Sequence, residues 1–231
     1  MIDPRSLSSS EMFGALEEPA LAAIVAAGSA RCLAAGTTIF AQGDPGLTCH
    51  SLLEGRVKIV QTRPDGGQSI LRFIGPGEMY GTVAAMMNKP FPADAVAVVD
   101  SVEIVWSVAA MRRLMREWPE IGIGSTAFAG DRLFELQQRM GDLTGERVER
   151  RIARALRRLC QQAGRHTAEG IEIDFPLTRQ DLAEMAGATL HTVSRTLAAW
   201  DHRGVTFSAR RRVIIRDVEA LAALAADGAD A

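Results

Sequence analysis

The sequence has no apolar run that approaches the roughly 18 to 20 residues a helix needs to cross a bilayer. Even the apolar stretch 95–99 is interrupted on both sides, by Asp94 and Asp100. The first 18 residues carry four acidic side chains and one arginine, which is the wrong charge for a secretory signal. We therefore expect a cytoplasmic protein without a membrane partner.

Cysteine is also scarce. The three cysteines, Cys32, Cys49 and Cys160, lie far apart and form no CxxC pair. This spacing argues against a disulfide framework and against a thiolate zinc or iron–sulfur site. Two interpretations remain open, which are ordinary thiols in a reducing compartment and a thiol that senses oxidation.

The chain has 231 residues, 47% of them apolar, which is enough for one large or two ordinary domains. The net charge of −2 averages over an uneven distribution, because residues 1–143 carry 12 basic and 16 acidic side chains whereas residues 144–216 carry 14 and 8. A basic segment in an otherwise acidic protein is typical of a nucleic-acid-binding domain. A helix with a solvated arginine face is the alternative explanation.

Short apolar alternations separated by Gly, Pro and Asp corners run from Arg31 to Val108. One of them, residues 52–60, leads through the turn 64–67 into a second run, 69–74, as in a hairpin. Several short strands at even spacing predict an antiparallel β-roll or jelly-roll barrel. Such barrels enclose small ligands.

A long helix is predicted after Pro119. Its small and apolar residues repeat with the 4-3-4-3 spacing of a coiled-coil seam. The seam consists of Gly122, Thr126, Ala129, Leu133, Leu136, Met140 and Leu143. The pattern fits a dimer interface or a stripe that packs inside one chain, and the sequence leaves both open.

The second half predicts a winged helix-turn-helix. Thr178 and Asp181 have the spacing of a capping box that starts one helix, and a second helix starts behind Thr189 and ends at Gly204. Two short strands follow, 205–208 and 213–215, around a turn of three arginines. A short apolar helix, 218–225, closes the pattern.

One face of the second helix is predicted to enter a major groove of DNA. Arg195 can bond bidentately to guanine, and Leu190 can pack on a thymine methyl group. The helix ends at Thr178 and Thr189 suit phosphates. The candidate DNA contacts are Thr178, Arg179, Thr189, Leu190, His191, Thr192, Ser194, Arg195, Arg210, Arg211 and Arg212.

With these motifs the chain resembles the Crp/Fnr family of bacterial transcription regulators over about residues 12–226. The resemblance is carried by segments 36–46, 54–59 and 75–78, by the long helix, and by segments 177–183 and 192–195. It implies an α+β fold with an effector-binding β-roll (1–108), a dimerisation helix region (109–143) and a DNA-binding winged helix-turn-helix (144–231). It also implies a homodimer that reads a palindromic operator and acts with RNA polymerase, and no enzymatic activity.

Departures from the family pattern bear on the effector. Where cyclic-AMP receptors have Gly-Glu and Arg-Ser in the phosphate cassette, this chain has Gly81-Thr82 and Pro92-Ala93. The purine-contacting Thr-Ser of the long helix is replaced by Leu136-Gln137. The N-terminal cysteine cluster of the oxygen-sensing members is absent from the sequence. These differences argue against cAMP and against an iron–sulfur cluster.

The segment 81–87 and the segment 189–195 resemble the nitric-oxide-responsive denitrification regulators of the DNR and NnrR branch. That resemblance implies a response to nitric oxide, through haem bound in an apolar pocket, with His50 as the candidate iron ligand. The other pocket residues expected are Met79, Tyr80, Met86, Met87, Phe91 and Phe128. An ordinary strand histidine is the alternative for His50.

Two further alternatives bear on the function. The chain can be a regulator without an effector, controlled by its abundance or by cysteine oxidation. It can also be an enzyme on a cupin-like barrel, but such chemistry needs convergent His and Glu metal ligands and the barrel segment offers only His50.

Overall fold

The computed structural model describes residues 2–10, 12–143 and 147–226, without the side chains of 131, 132 and 134–143. The chain divides into two compact units, one of Met1–Gly67 and Leu71–Arg139, the other of Gln68–Ile70 and Met140–Ala231. None of the described helices is both long enough and apolar enough to span a membrane.

Eight strands of the first half form two four-stranded sheets. Their bounds are Ser29–Leu33 (β1), Thr38–Phe40 (β2), Thr48–Glu54 (β3), Val57–Thr62 (β4), Gln68–Ile74 (β5), Met79–Tyr80 (β6), Asp94–Ala97 (β7) and Ser101–Ser107 (β8). The strand orders are β1-β8-β3-β6 and β2-β7-β4-β5. Gly55 makes the tight corner between β3 and β4 with a φ of 94°, and an added Cβ there would lie 2.2 Å from Ser101 Oγ.

Helices surround this β-roll. After a 3₁₀ turn at Pro4–Leu7 come the helices Glu18–Ala26 (α1), Thr82–Met86 (α2), Val108–Glu117 (α3) and Glu120–Leu143 (α4). Ser107 caps α3 by accepting a hydrogen bond from the amide of Ala110 at 3.1 Å. Helices α2 and α3 were not separate elements in the sequence-based prediction, because α2 is one turn long and α3 runs almost directly into α4.

The first unit has two hydrophobic clusters. The outer cluster joins the helices to one sheet, where Phe13 packs edge-on to Trp106 with ring centroids 5.7 Å apart. The indole N–H of Trp106 donates to the carbonyl of Ile24 at 2.8 Å, so this large buried ring has no unsatisfied donor. The inner cluster lies inside the roll and consists of Phe40, Leu52, Val57, Ile74, Tyr80, Phe91 and Ala95.

The second unit is a small α/β domain. Its elements are Val148–Ala163 (α5), Gly164–Thr167 (β9), Gly170–Ile173 (β10), Arg179–Ala186 (α6), Leu190–His202 (α7), Thr206–Ala209 (β11), Arg212–Ile215 (β12) and Val218–Ala225 (α8). The four strands form one sheet in the order β11-β12-β10-β9. Trp200 of α7 is fully buried, and its indole N–H donates to Glu149 Oε1 at 2.9 Å.

The predicted α+β architecture is therefore confirmed, including the β-roll, the long helix and the two-helix motif followed by a two-stranded hairpin. The boundaries of α8 agree with the prediction. Strand β9 was not predicted, because Gly164–Thr167 carries three polar residues and no apolar alternation.

Candidate nucleic-acid interface and effector cavity

Helix α7 is anchored on one side and exposed on the other. Val193, Leu197 and Trp200 are buried in the second unit. Leu190, 48% exposed, lies in the first turn on the opposite side, and its neighbours on this exposed face are His191 and Arg195. The face is therefore held in a fixed orientation while its side chains stay accessible.

The N-terminus of α7 is capped. Thr189 accepts a hydrogen bond from the amide of Thr192 at 3.2 Å, and the two hydroxyl oxygens lie 2.9 Å apart. The two threonine side chains thus provide hydrogen-bond partners at the N-terminus of α7. Ser194 lies half-buried in the same helix, after these residues. The remaining amides of the first turn carry the positive end of the helix dipole, which favours a phosphate at this end.

Helix α6 orients α7 across a tight turn. Thr178 and Asp181 form the predicted capping box, in which Thr178 N–H donates to Asp181 Oδ2 at 3.0 Å and Asp181 N–H donates to Thr178 Oγ1 at 3.0 Å. Gly187 ends α6 in the left-handed conformation with a φ of 58°. Arg151 of α5 donates to the carbonyl of Ala186 at 2.8 Å. A cationic side chain is therefore the hydrogen-bond partner of a carbonyl at the C-terminus of α6, which the helix dipole favours.

The wing, defined as the β11–β12 hairpin, carries the three predicted arginines. Arg210 and Arg211 form its turn and are exposed, and Arg211 has a φ of 62°. Such a backbone conformation costs a side-chain-bearing residue roughly 1–2 kcal/mol. Arg179 of α6 donates to Ser208 Oγ of the wing at 3.3 Å, which ties the helix motif to the hairpin.

Arg212 differs from its two neighbours because it forms ion pairs. Its Nε donates to Glu172 Oε1 of β10 at 2.6 Å, and Nη2 lies 3.3 Å from Oε2. This pairing raises the pKa of Arg212 and lowers the pKa of Glu172. The guanidinium of Arg212 is thus shared with an acidic side chain, which weakens its candidacy as a phosphate contact.

A cavity of about 360 Å³ opens in the β-roll. Of the predicted pocket residues, Met79, Tyr80, Met87, Phe91 and Phe128 line it. Met86 packs with the outer cluster instead. Four further lining residues, Gly81, Thr82, Pro92 and Ala93, are the positions that the family resemblance assigned to the phosphate cassette. The sequence did not indicate the remaining lining residues, which are Phe40, Ile59, Arg72, Ile74, Val83, Ala84, Lys89 and Pro90.

A buried polar network surrounds Glu103, which is 0% exposed in β8. Arg31 Nε donates to Glu103 Oε1 at 2.8 Å, His50 Nδ1 lies 3.0 Å from Oε2, and the Tyr80 hydroxyl also donates to Oε2. Burial alone would raise the pKa of this carboxyl, but hydrogen bonds from His50, Tyr80 and Arg31 outweigh it and hold the pKa below its usual value. The pKa of Tyr80 is raised by burial and by the carboxylate.

His50 does not fit the expected role of a haem ligand. Its ring is 2% exposed, its Nδ1 lies 3.0 Å from Glu103, and its Nε2 lies 2.8 Å from the hydroxyl of Thr48. Both ring nitrogens therefore have partners, and an iron would have to displace one of them. The ring stacks on Tyr80 at 5.0 Å between centroids and does not line the cavity.

A metal cluster is not found in the part of the chain that the structure describes, and two of the three thiols are held protonated by burial. No group of three or more His, Cys, Asp and Glu residues there can hold a metal ion. Burial raises the pKa of Cys49 to about 12 and that of Cys160 to about 11, which keeps both thiols protonated at neutral pH. Cys32 is exposed on β1.

The part of the predicted α4 seam whose side chains the structure describes is largely exposed. Thr126 and Ala129 are exposed and Leu133 is 59% exposed, whereas the side chains of Leu136, Met140 and Leu143 lie outside the described residues. Ile123, 73% exposed, was not part of the predicted seam and lies one turn before Thr126, at the edge of that face. Phe128 faces the opposite way, into the first unit.

Comparison with known proteins identifies both halves. Residues 30–117 match the family model of the cyclic nucleotide-binding domain, and residues 150–224 match that of the Crp-like helix-turn-helix domain. The Cyclic AMP receptor protein of Thermus thermophilus is 30% identical over 190 residues, which is 82% of this chain and 85% of that protein. The chain belongs to the Crp/Fnr family.

Other relatives in this family support the same assignment. The nitrogen fixation regulation protein FixK of Rhizobium meliloti is 30% identical over 82% of this chain and 83% of its own length. The structure of FixK2 from Bradyrhizobium japonicum superposes with a TM-score of 0.77 at 21% identity, covering 87% of this chain and 99% of that one. The protein is thus a DNA-binding transcription regulator of the Crp/Fnr type, and regulators of this type typically act as dimers.

Proposed function

We propose that a homodimer of this chain binds a palindromic operator, with α7 of each subunit in the major groove of one half-site and RNA polymerase as its partner in transcription. The observation that carries the proposal is the accessible face of α7, where His191 and Arg195 lie opposite the buried anchor Trp200. In two-fold symmetric regulators of this class the half-sites lie about one helical turn apart.

DNase footprints with the Arg195→Ala variant test the proposal. Removing a bidentate arginine–guanine contact costs about 1–3 kcal/mol, so we expect operator affinity to fall about tenfold to a hundredfold while non-specific binding persists. Arg203→Ala is the matched control, because Arg203 is an exposed arginine at the other end of α7. Footprints that are unchanged in Arg195→Ala would refute the assignment.

We further propose that a small effector bound in the cavity of the β-roll controls DNA binding. The support is a cavity of about 360 Å³ lined by aromatic and aliphatic side chains, in a domain related to cyclic nucleotide-binding domains. Pockets that bind small molecules have this size and composition.

The nitric oxide response through haem stays a prediction from the resemblance to the DNR and NnrR branch. The hydrogen bonds of His50 weigh against it, and we derive no step through haem. A haem titration followed by absorption spectroscopy tests this response. If no spectrum of haem bound at one equivalent per chain appears, a haem-based response to nitric oxide is excluded. Control by cysteine oxidation remains as the alternative, with the exposed Cys32 as its candidate thiol.

A further inference from the structure

Few polar groups line the cavity, and the charged ones among them are all positive. Arg72 and Lys89 are its charged lining residues, and neither an Asp nor a Glu is among the lining residues that the structure describes. The rest of the wall is aromatic or aliphatic, apart from the hydroxyl groups of Tyr80 and Thr82. The cavity therefore offers an apolar interior with positive charge.

Most of these polar groups already have partners within the protein. The Tyr80 hydroxyl donates to Glu103, Thr82 Oγ1 lies 3.4 Å from the carbonyl oxygen of Tyr80, and Arg72 forms an ion pair with Glu78. Lys89 is exposed and forms no ion pair with any residue in the described ranges. Its ammonium group is therefore the charge that a ligand can use without breaking an existing contact.

The wall is unsuited to a sugar phosphate. Pro90 and Pro92 line the cavity and have no backbone N–H to offer to a phosphate. Ala93 and Gly81, also in the wall, bring no side-chain donors. The hydroxyl groups of a ribose would lose their hydrogen bonds with water and find few replacements, at a cost of about 1–3 kcal/mol for each unsatisfied group.

The interior suits a flat or flexible hydrocarbon. Phe40 and Phe91 stack with ring centroids 3.8 Å apart, and Phe128 of α4 contributes another aromatic side chain to the wall. Gly81 has a φ of 69°, and an added Cβ there would lie 3.1 Å from the Phe91 ring, so the chain keeps this part of the wall free of side-chain bulk. The volume lies at the lower end of the range for small-molecule sites.

We infer that the effector is a monocarboxylate with an apolar body, held with its hydrocarbon among Phe40, Phe91 and Phe128 and its carboxylate at Lys89. This inference rests on the proposed function, in that the cavity is taken as the effector site. The carboxylate–ammonium contact fixes the orientation of the ligand, and burial of the hydrocarbon supplies most of the affinity.

Calorimetric titration of the full chain tests the inference with matched acids and neutral analogues. The probes are octanoate with octan-1-ol and naphthalene-2-carboxylate with its carboxamide, and cAMP is the competing class. We expect at least one acid to bind more tightly than its neutral analogue. In Lys89→Gln the affinity for that acid falls about tenfold, as expected for loss of one charged contact, and that for the analogue stays the same.

The chain provides a matched control, because its other lysine, Lys58 on β4, does not line the cavity. Lys58→Gln leaves both affinities unchanged. Ala84→Phe places a ring in the cavity and abolishes binding of acid and analogue alike. If Ala84→Phe fails to fold, as judged by circular dichroism, the comparison of Lys89→Gln with Lys58→Gln still tests the inference.

Several outcomes would overturn the inference. They are failure of both acids to bind, equal loss for acid and neutral analogue in Lys89→Gln, or cAMP binding that excludes the acids. Operator binding is measured separately on the same samples. Specific operator binding without acid binding would reject the ligand class alone, whereas acid binding without any specific DNA site would reject the proposed function alone.

Discussion

At the scale of single residues, Glu103 is the most consequential buried charge of the first unit. A carboxylate with no exposure is tolerated only when several donors surround it, and here Arg31, His50 and Tyr80 supply them from three different strands. Since Tyr80 also lines the cavity, the network connects the cavity wall to the far edge of the sheet.

Replacing this carboxylate tests its contribution to stability. We expect Glu103→Gln to lower the free energy of unfolding of the first unit by about 3 kcal/mol, because it leaves buried donors poorly paired. Urea unfolding followed by tryptophan fluorescence measures it, with Glu54→Gln at the exposed end of β3 as the control. A loss no larger than in the control would contradict the expectation.

The same residue predicts a pH dependence. The folded-state pKa of Glu103 is lower than that of an unfolded chain, so its contribution is complete above the unfolded value and is lost as the pH falls through the folded value. The wild type should therefore lose stability below a pH of about 4.3, and Glu103→Gln should lose less over that range. Parallel pH profiles would contradict this assignment.

The network could not be predicted from the sequence, although one signal was present. A single acid stands in the apolar strand Ser101–Ser107, and a charge there requires partners. Those partners lie 72, 53 and 23 positions away along the chain, on β1, β3 and β6. Periodicity describes neighbours on the same element and contains no information on such distant pairs.

At the scale of secondary-structure elements, α4 shows what a periodic sequence pattern can and cannot predict. The 4-3 spacing predicted the helix and grouped Thr126, Ala129 and Leu133, which the structure leaves exposed. It did not select Ile123, because that residue does not belong to the 4-3 series 122, 126, 129, 133. Ile123 and Leu133 are both large apolar side chains exposed on this helix, which favours a surface that another chain covers.

A charge on this face tests the dimer. We expect Leu133→Arg to give monomers, because the dimer would bury two arginines against apolar surface. Light scattering on a size-exclusion column measures the mass. Val218→Arg is the control, since Val218 is 47% exposed on α8 of the second unit. A Leu133→Arg protein that remains dimeric would show that the interface lies elsewhere.

At the scale of the whole molecule, the order of the domains was predictable and the content of the cavity was not. Strand alternation and the helix starts at Thr178 and Thr189 are local signals, and each was confirmed where it was predicted. The cavity wall is assembled from residues as far apart as Phe40 and Phe128, on strands, loops and two helices. Its charge balance therefore emerges only after folding.

The excess of basic residues in the second half predicts a strong salt dependence of DNA binding. Removing one arginine that neutralises a phosphate should reduce the slope of log affinity against log salt by about 1. We expect Arg211→Ala to reduce the slope equally for operator and random DNA. Arg211 lies in the turn of the wing, where we expect it to contact phosphates and not base edges. Fluorescence anisotropy at several salt concentrations measures the slope.

Two arginines provide the comparison for this measurement. Arg212→Ala should change the slope less than Arg211→Ala, because Glu172 already shares the charge of Arg212. Arg63→Ala, in the β4–β5 turn of the first unit, should not change it. A slope reduced as much by Arg212→Ala as by Arg211→Ala would mean that Glu172 releases Arg212 when the wing meets DNA, so the hairpin rearranges on binding. A slope unchanged in both would place the wing away from the phosphates.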